Sequence, residues 1–149
     1  MIYILSAPVQ SGKTTSLINW SAARKDVHGI LTPVIDGKRV FMDAQTKEQF
    51  PMEASGDEEA LTVGRFVFSK AGFDKAIQII RNAITNEGWL VIDEIGPLEL
   101  EGKGFYTIVK ELLLSEKNKT ILVVREGMVE NVKYHIKFNA TEVNSIDEV

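Results

Sequence analysis

The chain of 149 residues has no cysteine, only two histidines and four prolines. Without cysteine there are neither disulfides nor thiolate metal sites, so packing must hold the fold. His28 and His135 lie far apart with no partner at ligand spacing, which excludes a histidine-based metal site as the first expectation. No apolar run approaches the roughly 18 residues of a membrane span, and no basic stretch followed by an apolar one opens the chain. A cytoplasmic protein without a membrane partner is expected. Positive charge is also in short supply: 17 Lys and Arg face 21 Asp and Glu, a net charge of -4. That balance provides no attractive field for nucleic acid, so no nucleic-acid surface is expected. Internal repeats and low-complexity tracts are absent. The length fits one compact domain over residues 1–149.

What the chain does contain is an alternation of buried strands and helices. Ile2 to Leu5 form an apolar run ending in a Ser-Ala-Pro turn, and a helix is expected from about Thr14 to Arg24, with Leu17, Ile18 and Trp20 inward. Gly29 to Met52 reads as a hairpin around Asp36-Gly37, a pair suited to a tight turn. Gly56 to Ala60 reads as loop and Arg65 to Ser69 as a strand. From Ala71 to Glu87, Phe73, Ala76, Ile77, Ile80, Ala83 and Ile84 recur at spacings of three and four, which predicts an amphipathic helix. Trp89 to Asp93 and Lys119 to Val124 are continuous apolar runs, as central parallel strands require. Between them a helix is expected over about Gly104 to Glu116. A short helix near Met128 to Val132 and a last strand around Tyr134 to Phe138 complete the expectation. The pattern implies an α/β fold with a mostly parallel sheet flanked by helices and antiparallel hairpin strands inserted after the first helix.

Chemistry-bearing residues gather where strands end. Directly after the first strand comes Ser6 to Thr15, "SAPVQSGKTT". In this setting Ala7, Pro8, Val9, Gln10, Ser11, Gly12, Lys13, Thr14 and Thr15 are expected to form a nucleotide-binding loop, its backbone N–H groups turned inward and the helix dipole behind it. Gly12 allows close backbone approach, Lys13 brings a point charge to the β- and γ-phosphates, and the Thr14 hydroxyl can ligate Mg²⁺. The first glycine of the G-x-x-x-x-G-K-[ST] pattern is Ala7, a small residue at the turn out of the strand.

"WLVIDEIGPLEL", Trp89 to Leu100, carries four apolar residues and then Asp93 and Glu94. Asp93 is the candidate second Mg²⁺ ligand, and Glu94 the candidate to orient and deprotonate an attacking water. Arg125 follows "ILVV" and is the candidate to stabilise charge on the γ-phosphate. Lys13, Glu94 and Arg125 are thus the expected catalytic residues, with Thr14 and Asp93 as metal ligands. The cluster of Glu99, Glu101 and Lys103 reads as a solvated loop.

With "APVQSGKTT", "GILTPVIDGKRV", "VGRFVF", "VIDEIGPLEL" and "ILVVRE" in this order, the chain resembles the family of small P-loop nucleoside-triphosphatases that includes the human cancer-related nucleoside-triphosphatase and its thermophilic archaeal and bacterial relatives. The likeness runs from Met1 to about Arg125. It implies a RecA-like core and slow Mg²⁺-dependent hydrolysis of several nucleoside triphosphates to diphosphate and phosphate. Pro97 stands where many members have lysine, and Ile35 where many have arginine, leaving Arg39 as the nearby substitute. Two other readings use the same residues. A kinase could pass the γ-phosphate to a small-molecule hydroxyl held by the hairpin region, although Met52 to Gly64 lacks the arginines of a water-excluding lid. A non-catalytic nucleotide-binding adaptor for an unidentified protein partner has no need of Glu94. No N-K-x-D string reads the base.

Overall fold

The computed structural model describes residues 1–6, 12–115 and 118–149. Strand β1 (Ile2–Leu5) leads to helix α1 (Lys13–Ala22), then come β2 (Val27–Leu31), β3 (Val34–Ile35), β4 (Lys38–Asp43) and β5 (Gln49–Pro51). A separate hairpin of β6 (Ala60–Val63) and β7 (Phe66–Ser69) runs into α2 (Lys70–Ala83). The second half holds β8 (Gly88–Ile95), α3 (Pro97–Leu100), α4 (Tyr106–Leu113), β9 (Asn118–Val124), α5 (Val129–Ile136) and β10 (Thr141–Val143).

Among the described residues the main sheet has eight strands in the order β10-β1-β9-β8-β2-β4-β3, with β5 paired to β4. β10, β1, β9, β8 and β2 are mutually parallel, whereas β3, β4 and β5 pair antiparallel. The mostly parallel α/β sheet with inserted antiparallel strands is therefore present as expected. Alternation within the parallel strands explains why they read as unbroken apolar runs. Ile4, Leu90, Ile92 and Leu122 pack on one face with the inward residues of α2, α4 and α5, while Leu5, Val91, Ile121 and Val123 pack on the other with Leu17 of α1. Both faces are covered, so no strand needs a polar alternate.

Local chemistry accounts for the element ends. Asp36 and Gly37 both take positive φ, 51° and 78°, which is the backbone of the two-residue turn expected between β3 and β4. Ser69 caps α2 by accepting the Gly72 N–H at 3.0 Å. Three expectations need correction. Ala60, read as the end of a loop, opens β6, which closes on β7 through Gly64-Arg65. Tyr134 to Phe138 is not a strand: Val132 and Ile136 are buried four residues apart on α5 while Tyr134 is 75% exposed, so the period is helical, and the last strand is β10. Glu99, read with Glu101 and Lys103 as a solvated loop, lies in helix α3 (Pro97–Leu100). Among the described residues no helix is long and apolar enough to cross a membrane.

Candidate active site

The strand order sets β9 between β1 and β8, all three parallel, so the carboxyl end of β1 and the acidic end of β8 lie on the same edge of the sheet, where ligands of parallel α/β sheets bind. Gly12 precedes α1 with φ of 84°, a left-handed backbone that glycine adopts without Cβ strain. Lys13 and Thr14 then occupy the first turn of α1, half-buried, with Thr15 exposed beside them. Ala7, Pro8, Val9, Gln10 and Ser11 lie outside the described residues, so their part in the expected loop is not addressed by the structure.

The two candidate metal ligands meet. Thr14 Oγ1 donates to Asp93 Oδ2 at 2.9 Å, and the Thr32 N–H donates to the same oxygen at 3.2 Å. Asp93 is completely buried, and its Oδ1 has no hydrogen-bond partner among the described residues. Burial pushes the Asp93 carboxyl up; the Thr14 hydrogen bond opposes that, and the neighbouring Glu94 charge adds to it. An orphaned carboxylate oxygen beside a threonine hydroxyl is a donor set of hard oxygens, which suits Mg²⁺. No group of three or more His, Cys, Asp or Glu side chains converges on a metal position among the described residues. The remaining ligands of such an ion would therefore be phosphate oxygens and water, the usual habit of Mg²⁺.

Glu94 lies at a register shift: Asp93 pairs with Val123 and Ile95 with Val124, which leaves Glu94 out of the ladder, and the Asp93–Glu94 peptide is cis. A bulge of this kind re-aims a side chain. The carboxylate accordingly faces the same cavity as Thr14, and its Oε1 accepts from Arg125 Nε at 3.3 Å. Arg125 extends from the end of β9, 44% exposed at its side chain against 21% for Glu94. Two of the three expected catalytic residues, Glu94 and Arg125, thus form an ion pair with each other, and Lys13 lines the same cavity.

Two residues that sequence reasoning placed elsewhere or left secondary stand in this site. Glu99 is not solvated but 4% exposed, with Oε1 accepting from the Gly96 N–H at 2.7 Å and Oε2 from the Phe105 N–H at 2.9 Å. Burial raises its carboxyl to about 7 against the pull of those amides. The signal was present in the sequence, since Pro97 followed by Glu99 is the first-position proline and third-position glutamate of a helix start. Arg39 donates through Nη1 to Thr32 O at 2.9 Å and Thr32 Oγ1 at 3.3 Å. Arg39 and Ile35, the latter exposed, both line the cavity. The whole cavity measures about 700 Å³ and runs from Lys13 and Thr14 to an apolar arm at Phe41 and Phe73.

The model of a family described as NTPase matches residues 2–148. The nucleoside-triphosphatase THEP1 of Archaeoglobus fulgidus is 28% identical over 114 residues, 71% of this chain and 67% of that protein. Its counterpart from Methanothermobacter thermautotrophicus is 36% identical over 64 residues, 42% of this chain and 37% of that protein. The matched part thus spans little more than a third of one curated relative and about two thirds of the other. In fold, the chain is similar to the crystal structure of THEP1 from the hyperthermophile Aquifex aeolicus, with a TM-score of 0.72 at 20% identity over 99% of this chain and 92% of that one. It is also similar to the solution structure of a human cancer-related nucleoside triphosphatase, with a TM-score of 0.67 at 22% identity over 98% and 89%. A strand-end site built on Gly12-Lys13-Thr14 and Asp93-Glu94, and a family match over residues 2–148, lead to one statement: the chain belongs to the NTPase family.

Proposed function

We propose that the chain is a Mg²⁺-dependent nucleoside-triphosphatase, one domain over residues 1–149, that converts a nucleoside triphosphate to diphosphate and phosphate with broad base tolerance. The observation that carries this reading is the Thr14–Asp93 hydrogen bond, beside an Asp93 Oδ1 that has no partner among the described residues. Those two side chains would hold Mg²⁺, which supplies charge neutralisation at the β- and γ-phosphate oxygens. Lys13 binds the same phosphates as a point charge, and residues Ala7 to Thr15 cradle them through backbone N–H groups.

The Arg125–Glu94 ion pair gives the chemistry a defined order. A γ-phosphate arriving in the cavity draws Arg125 from Glu94, because it carries more negative charge than one carboxylate. Arg125 then lies where charge accumulates as the terminal bond breaks, and Glu94 is released to accept a proton from water. The water oxygen bonds to γ-phosphorus while the bridging oxygen leaves with the diphosphate. The cysteine-free composition fits a cytoplasmic setting for this reaction.

The test is phosphate release from ATP, GTP, CTP and UTP with the purified full chain, with Mg²⁺ and with a chelator in its place. Release from all four, lost with the chelator and in Lys13→Ala, is expected. Release that persists unchanged in Lys13→Ala contradicts the reading.

A further inference from the structure

The two oxygens of buried Asp93 are treated differently. Oδ2 accepts from both the Thr14 hydroxyl and the Thr32 N–H, while Oδ1 has no partner among the described residues. The donors come from separate elements, Thr14 from the first turn of α1 and Thr32 from the position just after β2. A carboxylate gripped at one oxygen by two donors is held from turning, so its other oxygen keeps a fixed direction.

Thr32 is held in its turn. The ladder of β2 with β8 ends at the Ile30–Ile92 pair and that with β4 at Leu31–Met42, so Thr32 lies past both. Side chains take over from the ladder there: the Thr32 N–H goes to Asp93, and the Thr32 carbonyl accepts from Arg39 Nη1 at 2.9 Å. The same Nη1 donates to Thr32 Oγ1 at 3.3 Å. Thr32 is 1% exposed, so its polar atoms need protein partners, and Arg39 serves two of them.

Among the described residues, this use of an arginine is unlike the others. Arg81 and Arg125 pair with Glu111 and Glu94, and the guanidinium groups of Arg24 and Arg65 lie over aromatic rings. Arg39, half-buried in the cavity wall, has no carboxylate partner among the described residues and bonds to neutral Thr32 alone. A cation that gives up water without gaining an ion pair stabilises the fold little. Its hydrogen bonds lead instead from β4 through Thr32 to the acidic end of β8.

We propose that Thr32 and Arg39 are positioning residues for the metal: Arg39 fixes Thr32, the Thr32 N–H and the Thr14 hydroxyl fix Asp93 Oδ2, and Oδ1 is thereby presented to Mg²⁺. This rests on the hydrolase reading for the identity of the ion and its nucleotide. In this arrangement the two residues act on metal affinity through Asp93, not on the phosphates directly.

The test measures binding apart from turnover. Affinity of the full chain for a non-hydrolysable nucleoside triphosphate is determined by calorimetry twice, with saturating Mg²⁺ and with a chelator, and the melting temperature of each ligand-free variant is recorded. Arg39→Met is expected to weaken binding with Mg²⁺ about tenfold, the usual scale for losing a group that orients a metal ligand, and to leave binding in chelator unchanged. Thr32→Val, which removes Oγ1 and keeps the backbone N–H, is expected to weaken it less, and Arg39→Lys, which keeps a donor for the Thr32 carbonyl, to recover most of the loss. Arg81→Met, at a residue outside the cavity, is expected to match wild type. Should Arg39→Met not fold, Thr32→Val and Arg39→Lys decide by the same two measurements. Unchanged affinity with Mg²⁺ in Arg39→Met and Thr32→Val overturns the proposal. A loss as large in chelator as with Mg²⁺ also overturns it and makes Arg39 a phosphate ligand like Lys13. So does a wild type whose affinity does not rise with Mg²⁺. If wild type gains affinity from Mg²⁺ yet releases no phosphate from a hydrolysable triphosphate, the hydrolase reading fails, and the two affinities still decide the part of Thr32 and Arg39.

Discussion

Asp93 is completely buried with Oδ1 unpartnered among the described residues, and an unmet buried acceptor costs about 1–3 kcal/mol. A cation at that oxygen offsets the cost, so we read the orphan as the mark of the metal position. Glu99 carries a second buried charge with a different consequence. Its carboxyl rises from 4.5 to about 7, chiefly through burial, so the folded chain holds that proton more tightly than the unfolded chain does. The group's contribution is fully present below about 4.5 and is lost as the pH climbs to about 7. Glu99→Gln is expected to flatten stability against pH across that window, by on the order of 3 kcal/mol in all. Chemical denaturation at pH 4.5, 6 and 7.5 checks this, and parallel curves for the two proteins contradict it. That Gly12, Lys13, Thr14, Asp93 and Glu94 meet in one cavity was legible in the sequence, because both motifs follow apolar runs that become parallel strands of one sheet. Glu99 was legible only as the third-position glutamate of a helix start after Pro97; its burial was not, because it depends on the amides of Gly96 and Phe105 being brought to it by a turn.

Helices and strands were legible where period and length agreed. The α2 face of Phe73, Ala76, Ile80 and Ala83 is buried as its spacing implies. Its start is fixed by one hydroxyl: Ser69→Ala removes the acceptor of the Gly72 N–H and is expected to cost about 1 kcal/mol, read as a lower melting temperature with phosphate release intact. Short elements escaped for a physical reason. β6 has four residues and among the described residues pairs with β7 alone, so its partner rather than its own pattern makes it a strand. At α3, Pro97 takes the first helical position, where a missing N–H costs nothing. The residue that departs from the resembling family is therefore a helix starter here, next to Glu94 in the cavity wall.

At the scale of the whole molecule, the parallel order β10-β1-β9-β8-β2 places the carboxyl end of β1, the acidic end of β8 and Arg125 after β9 along one edge. This much followed from strand and helix alternation. The apolar arm did not, because it joins residues as distant as Phe41, Phe68 and Phe105 that only the folded sheet brings into one wall. Ligand linkage extends across the same frame: Mg²⁺ and a non-hydrolysable triphosphate at about 100 times the dissociation constant are expected to stabilise the chain by about 2.7 kcal/mol. Asp93→Asn should lose most of that gain in thermal melts, and an undiminished gain would place the metal elsewhere. In the proposed mechanism Glu94 takes the proton of the attacking water while Lys13, Thr14 and Asp93 hold Mg²⁺ and phosphate. Single-turnover phosphate release by Glu94→Gln, measured alongside nucleotide binding, tests that division of labour: a rate about 10²–10⁴-fold below wild type with affinity nearly unchanged is expected, whereas an unaltered rate, or a loss of affinity as large as that of Lys13→Ala, contradicts it.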